Sequence, residues 1–182
     1  DKEFYEMDEL IEKFSLERVH KAGAIFNLEK LNWLNYEHLR RKSDSEVLKM
    51  LRTEIEKSEF SNENYKDEYL LKIISAMKER VSFVREYLTK SSYFFRAPQN
   101  YEEQNLKKRW KEDSNKLLDQ LKENFETLQN PSKGDFEKVL DETASKLNIS
   151  KGKLIHPLRI ALSGVGEGPG VYDIISVLGK EE

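Results

Sequence analysis

The sequence predicts an all-α protein, a bundle or cage of helices made of two small subdomains. Apolar residues recur with helical spacing along most of the chain, in stripes such as Val47, Leu48, Leu51 and Ile55. No segment between turn signals shows the strict alternation that is typical of a strand. Short connections separate the stripes, so neighbouring helices are expected to pack against one another.

Each predicted helix is bounded by residues that favour a start or a stop. Starts carry side chains that can accept hydrogen bonds from free backbone N–H groups, and stops carry Gly or Pro. Pro157 is expected in the first turn of its helix, where its missing N–H costs little. In chain order the predicted helices run from Asn27 through Leu39, from Ser43 or Asp44 through Ile55, from Leu70 through Leu88 as one stripe, from Leu117 to a stop at Asn130-Pro131, from a cap at Asp135 through Leu147, from Pro157 to Gly164, and from Gly170 to Gly179.

Two breaks in the helical pattern predict the domain organisation. One lies at Lys42–Asp44 and the other at the sequence A-P-Q-N, residues 97–100. They divide the chain into residues 1–43, 44–100 and 101–182.

The composition excludes several classes of protein. The 182 residues include no cysteine, which excludes disulfides, thiolate zinc sites and a cysteine nucleophile. No stretch approaches the roughly 20 apolar residues of a membrane span, and the acidic start is unlike a signal peptide. We therefore expect a cytoplasmic protein, and the missing initiator Met suggests that the chain begins inside a longer one. His20, His38 and His156 stand alone, without the spacing of a metal site.

The charge is distributed unevenly. The net charge is −3, but residues 68–111 sum to +5 while residues 112–149 sum to −4. A local basic segment is typical of a phosphate-facing surface. It is also typical of a helix with a solvated lysine face, and the charge alone favours this second interpretation.

The sequence S-G-V-G-E-G-P-G, residues 163–170, is the unusual motif of the chain. Its spacing differs from that of a dinucleotide-binding loop, a helix precedes it, and Pro169 removes a backbone donor, so a nucleotide cofactor is excluded. The glycines either let two helices turn tightly or expose backbone groups to a flat ligand such as an unpaired base. The residues leave both interpretations open.

Two long runs resemble a known family. L-I-H-P-L-R-I-A-L-S-G, residues 154–164, then G-P-G-V, residues 168–171, and L-G-K-E, residues 178–181, resemble the C-terminal signature of bacterial glutamyl-tRNA synthetases. F-S-L-E-R-V, A-I-F-N and K-L-N-W-L-N, which begin at Phe14, Ala24 and Lys30, are similar to the segment after the KMSKS-type loop of that family. The match runs from Leu10 to Glu181, and residues 43–150 match mainly by helical pattern.

The resemblance implies a fold, a partner and an activity. Residues 1–43 would end the stem-contact region, and residues 44–100 and 101–182 would be two helical anticodon-binding subdomains of the class I synthetase type. The family joins glutamate to tRNA with ATP in a catalytic domain that has no counterpart here, so ATP and Mg²⁺ are expected in that domain and no cofactor in this chain. The partner would be tRNA for glutamate, or tRNAs for both glutamate and glutamine, and we expect a monomer.

The resemblance also assigns roles to individual residues. Arg159 matches an arginine that contacts the anticodon, and Gly168, Pro169 and Val171 match the loop that binds its leading bases. The family often has Thr at the position of Gly168, so a hydroxyl contact is not implied there. Arg80 matches a position that reads the third anticodon base in some members, where arginine favours cytosine over guanine.

Other residues of the basic segment are candidates for contacts with the tRNA backbone, because phosphate contacts position a nucleic acid and base contacts specify it. These residues are Arg85, Lys90 and Arg96. Tyr93, Phe94 and Phe95 are expected either to stack on bases or, in preference, to pack in the core. Two alternatives remain from the residues: a helical protein-interaction or adaptor domain without an RNA role, and a stand-alone RNA-binding protein.

Overall fold

A computed structural model of the chain describes residues 2–19, 22–23 and 25–179, and within these residues the structure is helical without strands. The all-α prediction is confirmed. Short 3-10 turns occur at Leu16–Arg18, Lys78–Arg80 and Ser92–Phe94. His20, Ala24, Lys180 and Glu181, which entered the sequence argument, lie outside the described residues. The α-helices are α1 (Met7–Lys13), α2 (Leu28–Arg41), α3 (Asp44–Glu56), α4 (Asp67–Met77), α5 (Glu86–Thr89), α6 (Glu103–Arg109), α7 (Ser114–Glu126), α8 (Lys133–Lys146), α9 (Gly152–Ser163) and α10 (Val171–Leu178).

Side-chain caps start three of these helices. The Asn27 carboxamide oxygen accepts from the backbone N–H of Lys30 at 2.9 Å, and Ser43 caps α3, so both predicted caps are confirmed. The predicted cap at Asp135 is wrong. Ser132 caps α8, and the Asp135 carboxylate accepts from the backbone N–H of Ser132 at 2.8 Å, because the two residues form a capping box.

The predicted continuous stripe from Leu70 to Leu88 is interrupted. α4 ends at Met77, the chain passes through the turn at 78–80, and α5 begins at Glu86. The Glu86 carboxylate accepts from the backbone N–H groups of Ser82 at 2.6 Å and Phe83 at 3.3 Å. Those groups would bond to carbonyls in a continuous helix, so this local alternative favours the break.

The prediction that Pro157 lies in the first turn of its helix is also wrong. α9 begins at Gly152, which makes Pro157 an interior residue of the helix. Leu154, ahead of the proline, is fully buried in a core shared with α7. We infer that burial of this extra turn offsets the hydrogen bond that an interior proline removes.

The apolar residues form two main packed regions that the last helix connects. The first region is built from α2 to α5 and the turns between them, and it also takes Ile174 and Val177 from α10. The second is built from α7, α8 and α9, and Val171 and Ile175 of α10 pack beside it on Phe136. The division into residues 1–43, 44–100 and 101–182 stays a prediction, since α10 contributes to the cores on both sides of residue 100.

The residues before α2 pack less closely than the rest of the described chain. Leu16, Ile25 and Phe26 are 77%, 95% and 75% exposed. The helices that carry the two cores lie further along the chain, and the candidate site lies among them. Among the described residues, no helix has the length and apolar content needed to cross a membrane.

Candidate nucleic-acid interface

Arg159 and the glycine-rich loop meet directly. Arg159 lies on α9, and its Nη1 donates a hydrogen bond to the carbonyl oxygen of Pro169 at 2.6 Å. The loop, residues 164–170, therefore turns back over the helix that precedes it. An arginine fork and a stretch of backbone with few side chains form one surface.

The first half of the loop is shaped by packing on the linker that precedes α6. Gly164 ends α9 in the left-handed region, with φ of 73°, and a Cβ there would lie 2.6 Å from the carbonyl oxygen of Asn100. The Gly164 carbonyl accepts from the backbone N–H of Glu102 at 2.9 Å. The Glu102 carboxylate accepts in return from the backbone N–H of Gly166 at 3.0 Å. The tight-turn interpretation of the glycines therefore holds for this half.

The second half of the loop lies close to Arg159 and Tyr93. Gly168 has φ of 129°, and a Cβ there would lie 3.1 Å from the Tyr93 hydroxyl and 3.9 Å from Arg159 Nη1. The Tyr93 hydroxyl is buried and has no hydrogen-bond partner among the described residues. A glycine at position 168 thus leaves room for that hydroxyl and brings backbone close to the arginine.

The side chain of Val171 lies in the core and is not open to a ligand. The side chain is 3% exposed and packs with Phe136 and Ile175. Val171 is also the first residue of α10, and the first backbone N–H groups of a helix have no partner within it. Pro169 is buried, and its carbonyl is engaged by Arg159.

Arg80 approaches Arg159 from the turn that follows α4. It ends the turn at 78–80 and is exposed, and it makes no ion pair within the described residues. Burial raises the pKa of Tyr93 to about 12, and the positive charges of Arg159 and Arg80 both act against that rise. Burial lowers the pKa of Arg159, and the charge of Arg80 lowers it further. Residues 79 positions apart in sequence therefore share one electrostatic environment.

The three residues predicted to contact the tRNA backbone differ in their surroundings. Lys90 pairs with Glu86 at 3.1 Å and lies next to Arg80, since its Nζ donates to the Arg80 carbonyl at 3.4 Å. Arg96 pairs with Glu59 at 2.8 Å and lines a cavity of about 310 Å³ together with Val165 of the loop.

Arg85 lies apart from the loop. Its guanidinium carbon is 5.6 Å from the centre of the Phe83 ring, and it lines a cavity with residues of α3. No contact among the described residues connects it with Arg159. Its place in the interface stays a prediction.

The aromatic residues of the basic segment pack in the core. Tyr93, Phe94 and Phe95 are 5%, 3% and 9% exposed. The Tyr93 and Phe94 rings contact each other, with centroids 4.6 Å apart, and Phe95 packs on Phe60 and Tyr65. The preferred sequence interpretation, core packing, is confirmed, and these rings do not offer a stacking surface.

Sequence reasoning missed a second group of polar residues beside Arg159. A cavity of about 220 Å³ lies between α6, α9 and the loop, lined by Asn105, Arg109, His156, Arg159 and Glu167 among others. Burial lowers the pKa of His156, and Arg109, Arg159 and Lys108 lower it further by their charge. The sequence did contain a signal for this group. Lys107 to Arg109, at the end of α6, are part of the basic segment, but no motif assigned them a role. His156 was treated as isolated because its cationic neighbours are distant in sequence.

The described residues contain no group of three or more His, Asp or Glu side chains that could hold a metal ion. The chemistry of the surface is that of two guanidinium groups, a bare backbone and a half-buried histidine. Such groups recognise phosphates and base edges.

Comparison with known proteins agrees with this arrangement. Residues 46–182 match the family model described as the anticodon binding domain. The chain is 42% identical over its whole length to the glutamate–tRNA ligase of Chloroherpeton thalassium and 42% identical to that of Pelodictyon phaeoclathratiforme. The crystal structure of a glutamate tRNA ligase from Elizabethkingia meningosepticum in complex with its amino acid superposes with a TM-score of 0.90, at 34% identity over 99% of this chain.

The chain spans a little over a third of these relatives: 37% and 38% of the two ligases, and 35% of the crystallised one. The resemblance stated from the sequence runs is therefore confirmed. The family match covers 46–182 of the 182 residues, and the chain belongs to the anticodon binding domain family, in the form found in glutamate–tRNA ligases.

Proposed function

We propose that this chain recognises the anticodon of tRNA for glutamate, on behalf of a ligase that joins glutamate to that tRNA with ATP. The observation that carries the proposal is the 2.6 Å hydrogen bond from Arg159 to the Pro169 carbonyl. It places a planar donor fork beside the half-buried backbone of Gly168. An unpaired base can approach such a surface closely and be read on its pairing edge.

Arg80 extends this surface toward the first subdomain. Arg80 is exposed and forms no ion pair among the described residues. Its positive charge lowers the pKa of Tyr93, as the charge of Arg159 also does. We propose that Arg80 contacts the third anticodon base and favours cytosine over guanine. Lys90, next to Arg80, would hold the phosphate backbone, as would Arg96 and Arg85.

The remaining parts of the proposal follow from the similarity to the ligases. The protein would act as a monomer in the cytoplasm, where tRNA is charged. ATP and Mg²⁺ would serve glutamate activation outside these 182 residues. An assay of ATP consumption with glutamate and tRNA tests this point, and turnover by the isolated chain would contradict it.

A binding titration with Arg159→Ala tests anticodon recognition. If Arg159 makes a good base contact, the variant should lose about 1–3 kcal/mol of discrimination between tRNA for glutamate and the same tRNA with a changed anticodon. Wild-type affinity should also fall steeply with salt, because bound phosphates release counterions. Lys49→Ala, which removes an exposed positive charge on α3, is the control and should leave the discrimination unchanged.

Two outcomes separate the alternatives. An equal loss of affinity for all RNAs in Arg159→Ala would show that the arginine binds phosphate and does not read a base. The absence of salt-dependent tRNA binding by the wild-type chain would contradict RNA recognition and favour an adaptor domain.

A further inference from the structure

The cavity between α6, α9 and the glycine-rich loop, called here the α6–α9 cavity, adjoins the base-reading surface proposed at Arg159 and Gly168 and shares both residues with it. Its polar lining consists of Asn105, Arg109, His156, Arg159 and Glu167, and Gly166 and Gly168 form its loop side. Arg159 borders both features, since Nη1 is bonded to Pro169 while the side chain also lines the cavity. The cavity therefore opens beside the place where the bases would lie.

We propose that the α6–α9 cavity binds one phosphodiester group of the RNA strand, adjacent to the nucleotides that contact Arg159 and Gly168. The inference rests on the proposed function and deepens it by assigning a backbone subsite to Arg109 and His156. Neither residue was assigned a role by the sequence motifs.

The charges around the cavity favour an anion. Arg109 and Lys108 form no ion pair within the described part of the chain, whereas their neighbour Lys107 pairs with Glu103 at 3.1 Å. The positive charges of Arg109, Arg159 and Lys108 all lower the pKa of His156, so these cations lie near its ring. Glu167 lines the cavity and is exposed. The Glu102 carboxylate lies next to the cavity but already accepts hydrogen bonds from the backbone N–H of Gly166 and the side-chain amide of Asn105. Guanidinium groups bind phosphate oxygens through paired N–H donors, so their positions suit this ligand.

The size of the cavity also fits a small anionic group. About 220 Å³ is below the range of roughly 300–1,000 Å³ that is usual for drug-sized ligands. A phosphate with part of its ribose is a ligand of that smaller scale. Ile155 and Ile160 line the cavity as well and offer apolar contact for the sugar.

A simpler account explains part of the basic group. Lys107, Lys108 and Arg109 form the last turn of α6, where cations are stabilised by the helix dipole. That account does not explain why Arg109 shares a cavity with Arg159 without a carboxylate in an ion pair with either. A phosphate bound in the cavity would give both guanidinium groups an anionic partner.

His156 gives the subsite a distinctive pH dependence. Its pKa is lowered in the free protein by burial and by the cations of α6 and α9, and Glu167 is the acidic residue that lines the same cavity. A phosphate beside the ring favours the protonated form, so the pKa of His156 should be higher in the complex. Binding then takes up a proton. Affinity should increase as the pH falls through the pKa of the complex, and it should level off below the pKa of the free protein.

The test combines neutral backbone substitutions with a variant of Arg109. An RNA hairpin that carries the glutamate anticodon loop is prepared with one phosphodiester at a time replaced by a methylphosphonate, and each is titrated against the whole chain and Arg109→Gln. At one position the substitution should weaken wild-type binding about tenfold, and Arg109→Gln should cause a similar loss. Both changes together should weaken binding no further than either alone. Lys107→Gln is the matched control and should show additive losses at every position.

The outcomes distinguish this inference from the proposed function. Additive losses for Arg109→Gln at every phosphate would overturn the α6–α9 subsite while leaving anticodon recognition by Arg159 intact. Failure of the wild-type chain to bind the hairpin would overturn both. In a pH series, His156→Gln should abolish the gain in affinity at low pH, and a gain that persists in this variant would also count against the subsite. Glu167→Gln removes the opposing carboxylate and should bind the hairpin at least as tightly as the wild type; weaker binding would contradict an anionic ligand.

Discussion

The substitution Gly164→Ala tests how the loop is held on the segment that precedes α6. Gly164 has φ of 73°, and a Cβ added to it would lie 2.6 Å from the Asn100 carbonyl oxygen and 3.2 Å from Pro98 Cβ. The first contact is with backbone, which cannot rotate away as a side chain can. Alanine at this position therefore requires the loop or the linker to shift.

The expected cost has two parts. An L-residue in the left-handed region costs about 1–2 kcal/mol relative to glycine. Forcing an extra methyl into a closely packed place typically costs about 1–3 kcal/mol more. The free energy of unfolding should therefore fall by roughly 2–5 kcal/mol, part of it through the bonds between Glu102 and the loop.

Urea unfolding followed by circular dichroism measures this change. Gly134→Ala is the matched control, because Gly134 lies in α8 and a Cβ there would meet nothing closer than Ser132 Oγ at 3.8 Å. The control should be neutral or more stable by up to about 1 kcal/mol, since alanine favours helix over glycine. If Gly164→Ala destabilises by less than about 0.5 kcal/mol, the argument from the close approach to Asn100 is refuted.

Two further predictions concern stability. Ile174→Ala truncates a side chain that is 0% exposed in the core built mainly from α2 to α5, and should lower the free energy of unfolding by about 2–5 kcal/mol in urea; retained stability would show that α10 does not support that core. The hydrogen bond from Ser43 holds the pKa of Glu46 below its usual value, so its contribution is present at neutral pH and lost as the pH falls through that lowered value. Ser43→Ala should therefore lower stability at neutral pH and reduce the stability that is lost as the pH falls from 7 to below the lowered pKa of Glu46, and an unchanged acid slope would contradict the capping role.

Function at the level of the family could be predicted from the sequence, because the two runs around Arg159 and Phe14 are long and specific. The place of Arg159 next to Gly168 was also predictable, since the two residues are only nine positions apart along one helix and the turn after it. Arg80 could be assigned by resemblance alone, and its proximity to Arg159 rests on the packing of α10 and α4 between the two subdomains. Arg109 and His156 could not be grouped from the sequence, because the contact between α6 and α9 brings them together.

The amino-acid sequence alone determined the local structure of this protein. The all-α class, the caps at Asn27 and Ser43 and the stop at Gly164 depend on hydrogen bonds and torsion angles within a few residues, so they can be read from neighbours in the chain. Tertiary packing decided where α9 starts and how α10 completes two cores, since burial of distant side chains outweighs local preference there. It also brought the Tyr93 hydroxyl and Arg109, from a turn and from α6, to the glycine-rich loop beside Arg159 and His156 of α9.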